Sequence, residues 1–111
     1  TYPAGLPHPR VYGAFPRLLE TYVRQRGVLA LPEAVHKITR QPADRFGLTK
    51  KGRIQPGADA DLCLFGLERV RERGTWSQPD QLAEGMDWVF TAGVPVVQEG
   101  QSTGLRPGRV L

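Results

Sequence analysis

Arg10 follows His8 and Pro9, with Tyr12, Gly13, Phe15 and Pro16 just after it. A guanidinium is a planar fork. It can hold a carboxylate through two parallel hydrogen bonds, a contact worth about 1.5–3 kcal/mol where water is excluded. The prolines and the glycine predict a loop just ahead of a helix, and loops placed by a rigid scaffold are where binding groups sit. The competing reading is an exposed loop arginine, and side-chain chemistry alone leaves the two level.

Other chemistries have thinner support. A catalytic zinc needs about three protein ligands in a tight constellation. The chain has two histidines, His8 and His36, and one cysteine, Cys63. His36 falls in the middle of a predicted helix beside Lys37 and off its apolar stripe, where a solvated side chain is expected. Cys63 lies in the apolar run Leu62-Cys63-Leu64-Phe65. A buried structural thiol is expected there, because a nucleophilic thiolate needs a base and an electropositive setting. Asp59 and Asp61 would share one face of a strand as a carboxylate pair. Turn chemistry favours the plainer arrangement, in which Asp59 finishes a turn and Asp61 opens the strand. Ser77 and Ser102 sit on no strand-turn-helix elbow, and no glycine-rich loop is spaced to cradle phosphate. A complete catalytic or metal site is not expected within these residues.

The elements that must position Arg10 follow from periodicity. Phe15, Leu18, Leu19, Tyr22 and Val23 recur at helical spacing, Pro16 suits a first turn, and Gly27 supplies the stop. A second helix is predicted over residues 32–39, with Ala34, Val35 and Ile38 inward, and a third over 42–46. The pattern then changes to strands. Residues 52–54 read as a short extended segment, and Pro56-Gly57 as a turn. Residues 60–65 and 86–91 read as strands, the second turning at Ala92-Gly93 into 94–98 as a hairpin. Pro95 there predicts an edge position or a bulge. Residues 68–81 have no clear period and read as a surface excursion. Glu99-Gly100 closes the unit, and 104–111 is a tail punctuated by glycine and proline. The opening stretch 1–10 holds three prolines, at 3, 7 and 9, and reads as an irregular lead-in from a loop that began earlier. Helices first and strands second make an α+β chain.

Composition bounds the partners. The chain has 111 residues, enough for one core, with fifteen Lys+Arg against eleven Asp+Glu. The arginines are spread along the chain with acids nearby, as Arg71 and Arg73 flank Glu72. No phosphate-binding stripe forms, and nucleic acid is not an expected partner. No apolar stretch approaches the length of a membrane span, so no membrane partner is expected. No signal-peptide pattern opens the chain. A single cysteine suits a reducing compartment, and the expected location is the cytoplasm.

Several phrases together resemble one family. They are His8-Pro9-Arg10-Val11-Tyr12-Gly13-Ala14-Phe15-Pro16-Arg17, Ala34-Val35-His36-Lys37-Ile38-Thr39, and Pro42-Ala43-Asp44-Arg45-Phe46-Gly47-Leu48. Gly52-Arg53-Ile54-Gln55-Pro56-Gly57-Ala58-Asp59-Ala60-Asp61-Leu62 and Arg106-Pro107-Gly108-Arg109-Val110-Leu111 follow in the same order. The whole resembles the C-terminal part of D-aminoacylases (N-acyl-D-amino-acid deacylases) of the amidohydrolase superfamily. The phrase over 52–62 is shared across the superfamily, whereas the opening and closing phrases are more specific. Ala92 departs from the polar residue common before the hairpin glycine, which leaves the turn type open.

The resemblance implies a parent enzyme with a zinc-bearing (β/α)₈ barrel and a small β-sandwich, hydrolysing the amide bond of N-acyl-D-amino acids. A metal-bound water, its pKa lowered towards about 7, would be the nucleophile. Residues 1–51 would be closing helices of the barrel and 52–111 the C-terminal strands of the sandwich. The family's metal ligands and catalytic aspartate have no counterpart here, so zinc is expected in the parent and not in this segment. Arg10 matches the arginine that binds the substrate's α-carboxylate, and His8 beside it has an orienting role at most. The alternative is a non-catalytic module that self-associates through exposed apolar surface. The purified chain is expected to show no chelator-sensitive hydrolysis of N-acyl-D-amino acids, and a spectrophotometric assay for the released amino acid checks this.

Overall fold

Pro9 opens the first helix because its fixed φ, here −52°, already suits a helical turn and its missing N–H needs no partner there. A computed structural model describes residues 5–111, so the first four residues of the expected lead-in lie outside the description. Helix α1 spans Arg10–Arg17 and starts earlier than the periodicity from Phe15 predicted. Gly13, read as part of a loop, is helical and buried. A Cβ there would come 2.5 Å from Glu72 Cγ, so this glycine admits a distant loop rather than breaking the helix. Pro16 lies inside α1, not in its first turn. It removes one donor, and its ring crowds the carbonyl a turn back. The chain then continues as a π-helical segment, Leu18–Gln25, in which wider turns replace the α ladder. The Arg26 N–H donates to the Thr21 carbonyl, five residues back, at 2.9 Å. Gly27, at φ +60°, ends the helix as predicted, and Val28 N–H returns to the Tyr22 carbonyl at 3.0 Å.

Helix α2 spans Leu31–Ile38 and α3 spans Arg40–Arg45, both slightly ahead of the predicted positions. The extended segment expected at 52–54 is not a strand. Gly52, at φ +68°, bends the chain over the end of α2, where a Cβ would lie 2.5 Å from the Thr39 carbonyl oxygen.

The second half is an antiparallel sheet in the order β1-β2-β3-β4, so the α+β class holds. The strands are β1 Leu62–Phe65, β2 Met86–Thr91, β3 Val94–Gln98 and β4 Gln101–Ser102. The last was not anticipated. Ala92 and Gly93 have φ of 51° and 78°, and Glu99 and Gly100 have 49° and 76°. Both hairpins therefore turn through two left-handed residues, the geometry that matches the twist of the flanking strands. Strand β3 is internal, so Pro95 belongs to the bulge reading: the β2–β3 register shifts between Val89 and Phe90, against Pro95.

The buried core is small. Leu19, Val23, Ala34 and Val70 form it, with Leu29, Leu31, Phe65 and Met86 packed around them. Val70, at 0% exposure, lies in the stretch expected to be a surface excursion, so that stretch carries a core residue. Gly85 lets the chain return over it: a Cβ there would meet the Arg69 carbonyl at 2.5 Å. Cys63, expected to be buried, is exposed, as is Leu64 beside it. The physical reason is that no helix among the described residues covers that part of β1. The accessible surface is 8145 Å², against about 6,100 Å² for a compact monomer of this mass.

Ala92 carries a cost that asparagine would not, because a Cβ-bearing residue without a local side-chain bond is disfavoured at positive φ. Ala92→Asn is expected to raise stability by about 0.5–1 kcal/mol and Tm by about 2–8 °C, read from thermal unfolding followed by circular dichroism.

Candidate functional site

The start of α1 brings the two predicted site residues together. Arg10 donates its backbone N–H to His8 Nδ1 at 3.0 Å, so the imidazole satisfies one of the unpaired donors of the first turn. Arg10 is therefore the first residue of a helix rather than part of the loop ahead of it. Its guanidinium is exposed and has no side-chain partner among the described residues. Arg17, further along the helix, is neutralised by Glu72, with Nη1 3.6 Å from Oε2. Together with Pro9 and Trp76 these residues line a groove of about 310 Å³ between α1 and the loop after β1. The Trp76 indole meets the His8 ring edge-on, with centroids 4.7 Å apart and planes at 72°. A cation without a counter-charge beside an aromatic wall suits an anion that carries an apolar group.

That loop is held against the helix by a part-buried polar clamp. Arg24 donates from Nη1 to the carbonyls of Leu67 at 2.6 Å and Val70 at 2.8 Å, and from Nη2 to Glu20 Oε1 at 3.2 Å. Glu20 Oε2 accepts the backbone N–H of Glu72 at 2.7 Å. Charged partners make such bonds roughly twice as strong as neutral ones. The clamp sets where Glu72 and Trp76 stand, and sequence reasoning missed both as site residues. The local signal was a turn, Thr75 to Gln78, between Gly74 and Pro79. Nothing in the sequence said which helix it would meet.

A second constellation lies between α3, the β2–β3 turn and the tail. Lys51 Nζ stands 2.5 Å from Asp61 Oδ2 and 3.0 Å from Asp59 Oδ2. The two aspartates, expected to serve turn and strand separately, thus do share one side, and a lysine fills the space between them. Asp61 also accepts the Ala92 N–H at 2.8 Å, which supports the left-handed turn. The Lys51 ammonium, then the Ala92 N–H, hold the Asp61 carboxyl below the usual carboxylate range. Asp61 and then Asp59 push Lys51 up.

The remaining candidates do little. Partial desolvation, then the Asp87 charge, raise the Cys63 thiol, which works against nucleophilic chemistry. His36 is exposed, as predicted. Among the described residues no three of His, Cys, Asp or Glu converge in a way that could hold a metal ion, and no helix is long and apolar enough to cross a membrane.

Comparison with known proteins identifies the family. A family model described as "Amidohydrolase family" matches residues 6–97. The D-aminoacylase of Alcaligenes xylosoxydans xylosoxydans is 44% identical over 105 residues, covering 95% of this chain and 22% of that protein. The N-acyl-D-aspartate deacylase of the same organism is 42% identical over 106 residues, covering 95% of this chain and 21% of that protein. Among solved structures, a D-aminoacylase mutant in complex with copper chloride superposes with a TM-score of 0.89 at 41% identity, over 95% of this chain and 22% of that one. The N-acyl-D-glutamate deacylase of Bordetella bronchiseptica, complexed with zinc and a phosphonate mimic of the tetrahedral intermediate, gives 0.79 at 37% identity, over 86% and 21%. This chain thus spans about a fifth of the length of the relatives it matches.

The Lys51 cluster has a defined pH signature. A depressed aspartate contributes stability above its unfolded pKa, and that contribution is lost as pH falls through the folded value. A raised lysine contributes below its unfolded pKa, and that contribution is lost as pH rises through the folded value. The cluster is strongest between the two. Asp61→Asn, which keeps an acceptor for Ala92, is expected to lower the urea midpoint at neutral pH and to leave it unchanged in strong acid, where Asp61 is already protonated.

Proposed function

The chain belongs to the amidohydrolase family, and on that premise we propose that it is a segment of a metal-dependent hydrolase cleaving the amide bond of N-acyl-D-amino acids. The observation that carries the reading is the match to D-aminoacylase over nearly the whole chain, in sequence and in fold. In this reading residues 1–51 supply closing helices of the catalytic barrel and 52–111 supply strands of a small β-sandwich. The sheet's half-exposed faces and the roughly 2,000 Å² of surface beyond that of a compact monomer support a larger body packing against both halves.

The metal named for the relatives' complexes does not fit this chain's own residues, since no ligand set converges among those described. Its ligands therefore belong to the rest of the enzyme, and no chemical step is assigned to this segment. The segment's contribution is to bind. Arg10 holds the substrate's α-carboxylate, His8 orients the start of α1, and the Glu72–Arg17 pair keeps the neighbouring cation occupied. A planar, two-pronged contact also fixes the direction of the substrate, which is what places an amide against a catalytic centre.

A second reading draws on the same excess surface: the isolated chain covers it by pairing with another copy. Light scattering separates the two, since a monomer at micromolar concentration excludes self-association as the function.

The main test is a chimera in which residues 6–111 replace the matching segment of the Alcaligenes D-aminoacylase. It is expected to hydrolyse N-acyl-D-amino acids. Arg10→Ala in it is expected to raise KM by about ten- to a hundredfold, and Arg10→Lys by less, because the ammonium keeps the charge and one hydrogen bond while losing the two-pronged fork. A folded, zinc-loaded chimera without turnover would sink the reading.

A further inference from the structure

We propose that Trp76 is a positioning residue for Arg10, acting through His8; this rests on Arg10 being the carboxylate-binding group. Trp76 is 75% exposed, so its indole is not a core anchor. Its backbone, by contrast, is firmly placed. Thr75 N–H donates to the Gln78 carbonyl at 3.0 Å, and Gln78 N–H returns to Thr75 Oγ1 at 3.0 Å. Pro79 beyond it is fully buried. Gly74 before it passes Pro9 at the helix start, where a Cβ would be in ordinary contact, 3.6 Å from Pro9 Cβ. The turn is thus braced on the helix start and presents a large aromatic ring at its rim.

That ring has one aromatic partner among the described residues, His8. An imidazole's second side-chain torsion is broad, so nothing intrinsic to an exposed histidine aims Nδ1 at a given donor. The edge-on indole restricts that torsion. It does so in the orientation in which Nδ1 accepts the Arg10 amide. The order of the first helical residue, and of the direction in which its guanidinium leaves the backbone, then depends on a tryptophan sixty-six positions away in the chain. Trp76 need not touch substrate for this.

The first test is amide hydrogen exchange at Arg10 in this chain, with Val23 as an internal reference. Trp76→Ala and Trp76→Leu are expected to speed exchange at Arg10 about two- to tenfold, the range that loss of one aromatic pair produces, while Trp76→Phe largely restores protection. In the chimera, Trp76→Ala is expected to raise KM by a similar factor with kcat unchanged. The double variant His8→Ala/Trp76→Ala is expected to be no worse than His8→Ala, because both act on one contact. A purely structural tryptophan gives the opposite pattern, with kcat falling at constant KM and costs that add. Either that pattern or unchanged exchange at Arg10 overturns the proposal and leaves Arg10's own role standing. A parent chimera without activity overturns Arg10's role and the proposal together.

Discussion

The contact on which the rest of the molecule depends is the pair formed by Glu20 and Arg24 with the backbone of the loop after β1. That loop is polar and aperiodic; Val70 enters the core from it, Leu67 packs against that core, and Pro79 is buried further along. Apolar burial alone would hold it only at these scattered points. Arg24 caps the carbonyls of Leu67 and Val70, and Glu20 takes the Glu72 N–H, so the loop gains three charge-assisted bonds within a few residues. Both side chains are mostly shielded, at 13% and 21% exposure, which is where such bonds keep their strength. Everything that gives the groove its character follows from this tether. Glu72 settles on Gly13, Gly74 passes Pro9, and Trp76 reaches His8.

The clamp in turn relies on an unusual helix. Pro16 interrupts the α ladder, and the wider turns that follow carry Leu19, Glu20, Val23 and Arg24. Two of these feed the core and two feed the clamp. A local break in hydrogen bonding is therefore used to hold a distant loop, a common setting for π-helical geometry near binding residues.

The sheet half follows a different logic. Its hairpins turn through residues at positive φ, and Asp61 props the first of them from across the sheet edge while Lys51 holds Asp61. This network is polar and only partly buried, so it orders the turn without adding an apolar core. The strands consequently remain half covered, with Leu64 and Cys63 open and Ile54 and Phe46 standing out from the loop and helix beside them. A sheet in that state keeps apolar surface that a second layer would cover.

Much of this was legible in the residues themselves. The π-segment's apolar stripe, the stop at Gly27, the hairpin at Ala92-Gly93 and the bulge at Pro95 all follow from local rules of periodicity and backbone freedom. Such rules need only a few neighbouring residues. The phrases from His8 to Arg17 and from Gly52 to Leu62 likewise carried the family. Gly13, Cys63 and Trp76 were not legible, for one shared physical reason. The meaning of each depends on what packs against it from far along the chain: Glu72 on Gly13, no covering helix over Cys63, His8 under Trp76. Sequence by itself determined which segments could be helix, strand or turn. Only the tertiary structure decided which loop meets which helix, because that choice is made by long-range hydrogen bonds and packing that no local pattern encodes.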